Sequence, residues 1–237
     1  MKLGILYGIS AGPGDPELLT LKGLRLLQRV PVVAFPAGLR GNSGMAEKII
    51  ADWLQPHQLR LALDFPYVQE RDTLAQAWQI AAERTWRFLV QGQDVAFVSE
   101  GDVSFYSTFT YLAQTLQQWH PELLVEKVPG VCSPLAAAVA LNLPLAVRDQ
   151  RLAVLPALYS LGELEVALTW ADVVVLLKFS SVYNQVWALL AERQLLDRSY
   201  VVERATWPEQ VVYVSLRDRA HLKLPYFSLL IVQVTDR

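Results

Sequence analysis

The sequence is poor in the residues that build metal centres and disulfides. Its 237 residues contain one cysteine, Cys132, and three histidines, His57, His120 and His221. A single thiol forms neither an internal disulfide nor a zinc–thiolate site, and the histidines lie too far apart for any compact ligand spacing. No Gly-Lys dipeptide occurs, which removes a Walker-type phosphate loop. Gly41-Asn42-Ser43-Gly44 is too short for a G-x-S-x-G nucleophile elbow. Metal-assisted and triad hydrolysis are therefore unsupported. The formal net charge of −2 lacks the basic excess that duplex nucleic-acid binding leaves in a chain. Apolar runs fall short of the roughly 18 residues of a membrane helix. The expectation is a cytoplasmic protein with neither a membrane nor a nucleic-acid partner.

What is present is material for a core: 53% of the residues are hydrophobic against 19% charged. Leu3–Ile9, Val32–Phe35, Leu59–Phe65, Asp94–Val98 and Leu123–Val128 read as buried strands. Pro16–Arg29, Gly44–Leu54, Thr73–Gln91 and Ser107–Trp119 lie between them with helical apolar spacing. This βαβα order predicts a parallel sheet with helices on both faces, whose ligands bind beyond the carboxyl ends of the strands. After Pro129-Gly130 the pattern changes. A helix over Pro134–Leu141 precedes strands at Leu152–Leu155, Val173–Leu177, Tyr200–Glu203, Val211–Ser215 and Ser228–Val234. The last three are too closely spaced for parallel crossovers, so antiparallel pairing is expected. The fold class is α/β in two domains: a parallel-sheet domain over 1–128 and a mixed-sheet domain over 129–237.

Two turns carry the candidate chemistry. Gly12-Pro13-Gly14-Asp15-Pro16-Glu17 ends the first strand and opens a helix, with Asp15 suited to the N-cap and Pro16 to the first turn. A capped strand-to-helix junction explains it as well as a ligand site does. The run departs from the G-x-G-x-x-G dinucleotide fingerprint, because Pro13 and Pro16 delete two amides that would face a pyrophosphate. That counts against NAD but not against a cofactor without phosphate. The second turn, Gly101-Asp102, follows the strand Asp94–Val98, and its acid either accepts hydrogen bonds from a ligand or caps the helix from Ser107.

Together these stretches resemble the tetrapyrrole methylases. The carriers are Gly12 to Gly23, Phe35-Pro36-Ala37, Phe65-Pro66, Gly101-Asp102, Ser104-Phe105-Tyr106-Ser107-Thr108, Val128-Pro129-Gly130-Val131, Val202 to Thr206 and Tyr226 to Val232. Phe65-Pro66 and the aromatic-Tyr-Ser-Thr run point to the precorrin-2 (or cobalt-factor II) C-20 methyltransferase branch of cobalamin biosynthesis. The resemblance implies a tetrapyrrole-methylase-like fold, a homodimer, and an active site in the cleft between domains. It implies S-adenosylmethionine as methyl donor, S-adenosylhomocysteine as product, and no metal. Carried over by motif, the cofactor contacts are Pro13, Gly101, Asp102, Ser104, Phe105, Cys132, Ser133, Leu177, Lys178, Ala205 and Thr206. Asp102 and Tyr106 are the candidates for removing the C-20 proton. Arg40 and Lys48 are candidate partners of substrate carboxylates, and Trp207 a candidate wall for the macrocycle, with surface charge and core packing as the plainer readings. Val103 stands where the family usually has proline, Glu100 where a small or apolar residue is commoner, and Cys132 where serine or threonine is usual. The rival readings are a sister methylase of the same fold, a nicotinamide oxidoreductase and a non-catalytic binding protein.

Overall fold

The structure, a computed structural model, describes residues 2–38, 43–66, 70–158 and 160–235. The chain divides into two compact units, Met1–Cys132 and Ser133–Arg237. The division falls after Cys132 rather than after Val128. The turn that follows the fifth strand is held in the first unit by a hydrogen bond from the Gly130 N–H to Asp102 Oδ2.

The first unit is built on five strands: β1 (Leu6–Ser10), β2 (Val32–Pro36), β3 (Leu59–Leu63), β4 (Val95–Ser99) and β5 (Val125–Val128). They pair in parallel in the order β3-β2-β4-β1-β5. β1 and β4 are buried along their whole length, as expected of inner strands of a sheet covered on both faces. The covering helices are α1 (Leu21–Arg29), α2 (Met45–Ile50), α3 (Arg71–Leu89) and α4 (Phe109–Trp119). The single helix expected over Pro16–Arg29 is split. Asp15 caps only a 3-10 turn at Pro16–Leu18, and the Thr20 hydroxyl then caps α1 by accepting from the Gly23 N–H. Two capping side chains in one segment start two elements. The far end of α1 is closed by buried Gln58, whose amide donates to Leu27 O at 2.6 Å and Val30 O at 2.7 Å. Those carbonyls would otherwise lack partners at a helix terminus.

Successive residues of β1 address opposite faces of the sheet. A Cβ on Gly8 would lie 2.5 Å from the Phe109 ring of α4, whereas a Cβ on Gly23 of α1 would meet Ile9 Cγ2. Hence α1 and α4 cover opposite faces. Phe109 also packs on Phe97, which Phe65 meets edge-on, and this aromatic group centres the core beneath α4.

The second unit begins with α5 (Ser133–Ala140). It continues through β6 (Leu152–Leu155), α6 (Leu161–Trp170), β7 (Val173–Leu177), α7 (Tyr183–Glu192), β8 (Ser199–Glu203), β9 (Val211–Tyr213) and β10 (Ser228–Gln233). The sheet order is β6-β7-β10-β8-β9, with β6 and β7 parallel and the remaining pairs antiparallel. The antiparallel expectation holds, and the structure adds that β10 is inserted between β7 and β8. The loop before β10 is anchored by two side chains of α7. Tyr183 Oη donates to Arg219 O at 2.6 Å and Trp187 Nε1 to Leu216 O at 2.7 Å. Burial pushes the Tyr183 phenol up to about 12, so it donates at every physiological pH.

The contact between Gly8 and Phe109 has a measurable consequence. Gly8→Ala puts a methyl group inside the ring's radius and is expected to cost about 1–3 kcal/mol. Paired with Phe109→Leu, part of that loss returns. Urea unfolding of the three variants reads it, and an unchanged Gly8→Ala midpoint would contradict the packing.

Candidate functional site

A parallel sheet offers its ligand crevice where neighbouring strands send their connections to opposite faces. β1 and β4 are such neighbours: β1 leads through α1 to β2 on one side, and β4 leads through α4 to β5 on the other. The two glycine turns lie at the carboxyl ends of these strands, and the structure joins them. Gly12 and Gly101 form an isolated antiparallel bridge, N···O 3.2 Å in one direction and 2.8 Å in the other. Both adopt left-handed backbone, φ +80° and +65°, a region that glycine enters without steric cost. A Cβ on Gly101 would find its nearest neighbour, Cys132 Cα, at 3.9 Å. Cys132 is thus brought beside the bridge.

Asp102 organises this end of the sheet. Its Oδ1 accepts from the Ser104 N–H at 2.8 Å and from the Ser104 hydroxyl, and its Oδ2 accepts from the Gly130 N–H at 2.7 Å. Burial pushes its pKa up, but the Ser104 hydroxyl and the Gly130 and Ser104 amides outweigh that and hold it below the usual aspartate value of 3.8. The carboxylate is therefore ionised at neutral pH and a weak base. Of the two roles open to it in the sequence, helix capping is not the one it plays: none of the hydrogen bonds it accepts comes from α4. The Phe109 N–H donates to the buried Ser107 hydroxyl, which also bonds to Ser99 Oγ at 2.7 Å.

Ser10, which sequence reasoning passed over, is fully buried at the end of β1. Its hydroxyl donates to Val128 O at 2.7 Å and accepts from the Val103 N–H at 2.9 Å. It ties the turns after β4 and β5 to β1. The second bond explains Val103, because a proline there would have no amide to donate. The available signal was a small polar residue closing an apolar strand, Ile9-Ser10, repeated at Val98-Ser99.

Pro13, Gly101, Asp102, Ser104, Phe105, Tyr106 and Cys132 lie in the first unit. Tyr106 is 53% exposed, sits at φ 55° and packs edge-on against Phe105. The other predicted contacts belong to the second unit, where Ser133 starts α5. β7 and β8 both run antiparallel to β10, so Leu177-Lys178, at the close of β7, and Ala205-Thr206, just after β8, lie at the same end of that sheet. Lys178, Arg204 and Thr206 have φ of 51°, 46° and 70°. Left-handed backbone in non-glycine residues is costly and clusters at ligand sites.

Lys48 is exposed on α2, and Arg40 lies outside the described residues. Trp207 is half-buried and donates its N–H to Arg204 O in the turn after β8. His120 stacks on Trp86. Among the described residues no cluster of three His, Cys, Asp or Glu side chains could hold a metal, and no helix is long and apolar enough to cross a membrane.

The sequence profile of the Tetrapyrrole (Corrin/Porphyrin) Methylases matches residues 5–220. The chain is 36% identical over 234 residues to the cobalamin biosynthesis protein CobIJ of Mycobacterium tuberculosis strain H37Rv, covering 95% of this chain but 45% of that protein. It thus spans about half the length of that relative. It is 32% identical over 230 residues to the cobalt-precorrin-2 C(20)-methyltransferase of Salmonella typhimurium, covering 97% of this chain and 96% of the other. The crystal structure of uroporphyrin-III C-methyltransferase from Thermus thermophilus, complexed with S-adenosylhomocysteine, superposes with a TM-score of 0.67 at 23% identity, covering 97% of each chain.

Replacing Asp102 by Asn leaves one of the amides it clasps facing a donor. This is expected to cost about 1–3 kcal/mol at pH 7. Because the folded-state pKa is depressed, the carboxylate's contribution is complete above the unfolded value and is lost as pH falls through the folded one. The stability gap between the wild type and Asp102→Asn should therefore narrow below pH 4. Denaturant titrations at both pH values check this; a gap of constant size would contradict it.

Proposed function

Since the chain belongs to the tetrapyrrole (corrin/porphyrin) methylases, we propose that it transfers a methyl group from S-adenosylmethionine to C-20 of precorrin-2 or its cobalt form. The observation that carries this reading is the end-to-end match, at 32% identity, with a protein named for that reaction. The Gly12–Gly101 bridge supports it chemically. Pro13 and Pro16 leave the crevice unsuited to a pyrophosphate, while the open side of Gly101 lets backbone approach a ligand that carries none.

When bound, the sulfonium supplies an electrophilic methyl group, which a nucleophilic meso carbon takes as the S–CH3 bond breaks and the thioether leaves. The residues of this chain contribute placement. Reactants held in near-attack geometry avoid up to ~7–11 kcal/mol of the barrier. By the family motif, the residues that would hold the cofactor are Pro13, Gly101, Asp102, Ser104, Phe105 and Cys132 in the first unit, and Ser133, Leu177, Lys178, Ala205 and Thr206 in the second. The methylated carbon must then lose its proton. Asp102 accepts three hydrogen bonds and is a weak base, so exposed Tyr106 is the better placed of the two candidates to relay that proton to water. Lys48 faces solvent and is available to a substrate carboxylate. The same family reading carries a cytoplasmic homodimer, which light scattering would check.

Incubation with S-adenosylmethionine and either precorrin-2 or its cobalt complex should yield one new methyl at C-20 and one equivalent of S-adenosylhomocysteine. Carbon-13 NMR of the product locates the methyl. A methyl on another carbon would replace this branch assignment by a sister one, and no transfer to either substrate would end it. Tyr106→Phe should slow turnover by about 10²-fold, the low end for a general base, with cofactor affinity unchanged.

A further inference from the structure

The second sheet has an unprotected edge. β6 lies outermost in the order β6-β7-β10-β8-β9 and pairs only with β7. The Val173 N–H donates to Arg151 O at 3.1 Å, so the main chain at Arg151, Ala153 and Leu155 is directed at β7. Successive residues of a strand turn their main-chain groups to opposite sides. Leu152 and Val154 therefore direct an N–H and a C=O each away from the sheet, and among the described residues nothing bonds to them. Proteins blunt such an edge with lysine, proline or a bulge. Leu152-Ala153-Val154-Leu155 has neither residue, and its register with β7 is unbroken.

Beside this edge runs a groove of about 770 Å³, walled by β6 and by the face of α6 that carries Gly162, Glu163, Val166 and Trp170. Its lining is apolar and uncovered: Val166 is 63% exposed, Trp170 42% and Leu152 38%. An open strand edge beside an apolar helix face takes an added strand. The edge supplies main-chain hydrogen bonds, and the helix face receives the side chains.

The two ends of the groove differ in size and charge, and the difference selects the occupant. As the crossover between parallel strands, α6 runs antiparallel to β6. Small Gly162 and acidic Glu163 thus stand at the Leu155 end. Bulky Trp170 stands at the Leu152 end, with Arg151, which bonds to Asp172 through Nε. Val166 lies midway. A two-fold axis through Ala153 sets Leu152 against the second copy's Val154, where the outward main-chain groups of each pair exchange hydrogen bonds. The same axis carries Trp170 towards the second copy's Gly162 and Arg151 towards its Glu163, while Val166 meets its own counterpart. Bulky faces small and positive faces negative. Such self-complementarity is what an isologous contact requires, and an unrelated strand requires none of it.

We propose that β6 and α6 form an interface between two copies of this chain, with β6 pairing antiparallel to its counterpart so that the two sheets become one. The proposal goes beyond the methyl-transfer reading and does not rest on it. It gives the homodimer a surface, in a part of the second unit remote in sequence from the glycine turns.

Sedimentation velocity of the purified chain tests it. Wild type should sediment as a dimer, with or without S-adenosylhomocysteine. Val166→Glu and Val166→Lys each bring like charges together on the axis, and each should weaken dimerisation by roughly a hundredfold. An equimolar mixture of the two variants should recover the dimer, because opposite charges then face one another. Val154→Pro, which removes one outward amide and leaves the β7 ladder whole, should also shift the chain towards monomer. Position 166 is exposed, so circular dichroism of its variants should match wild type. A monomeric wild type, the result expected if this edge serves a strand of another protein, would overturn the proposal. So would a dimer that both charged variants leave intact, or charged variants that dissociate and stay apart when mixed. None of these outcomes alters the methyl-transfer test, which reads product rather than mass.

Discussion

The end of the first sheet depends on one carboxylate. Three strands finish side by side, β4, β1 and β5, and the backbone that leaves each must turn without a regular ladder to satisfy it. Asp102 takes the Ser104 and Gly130 amides, Ser10 takes the Val103 amide, and the Gly12–Gly101 bridge takes one amide from each glycine turn. Charge-assisted acceptance by the aspartate is stronger than a neutral hydrogen bond. The acid that looks like a catalytic group in sequence is thus the group that fixes the positions of the glycines beside it.

This division of labour suits the proposed chemistry. Methyl transfer from a sulfonium to a reduced tetrapyrrole needs orientation more than proton traffic, and orientation is delivered by a rigid backbone. The crevice contains left-handed glycines, and one end of the second sheet contains left-handed lysine, arginine and threonine. Such conformations persist only where surrounding contacts over-determine them. In the second unit β10, inserted between β7 and β8, holds both strand ends to a common register.

Much of this was legible in the sequence, and the failures have physical causes. Apolar runs such as Val95–Val98 and Val173–Leu177 specified their strands because inner strands are buried on both faces, leaving no alternation to misread. The Gly-Asp turns were located by their place after those strands. The break in the helix after Pro16 was missed because Asp15 and Thr20 are both good caps, and spacing alone does not tell a start from a restart. The pairing order of β8, β9 and β10 was missed for a different reason: closeness along the chain predicts antiparallel pairing but not which neighbour a strand chooses. Ser10 left only a faint signal, a small polar residue closing an apolar strand, because a single hydroxyl gains its meaning from the amide and carbonyl that the fold brings to it. Val103, a departure from the family pattern, acquires a reason in the same way, through the amide that proline would lack.

The central proposal is that the chain binds a sulfonium methyl donor through backbone turns at strand ends. Amide hydrogen exchange with and without saturating S-adenosylhomocysteine tests it most directly. The account predicts slowed exchange in 10–15, 99–106, 177–180 and 204–207, with little change in the cores beneath α4 and α7. Protection confined to other segments, or none at saturation, would contradict it.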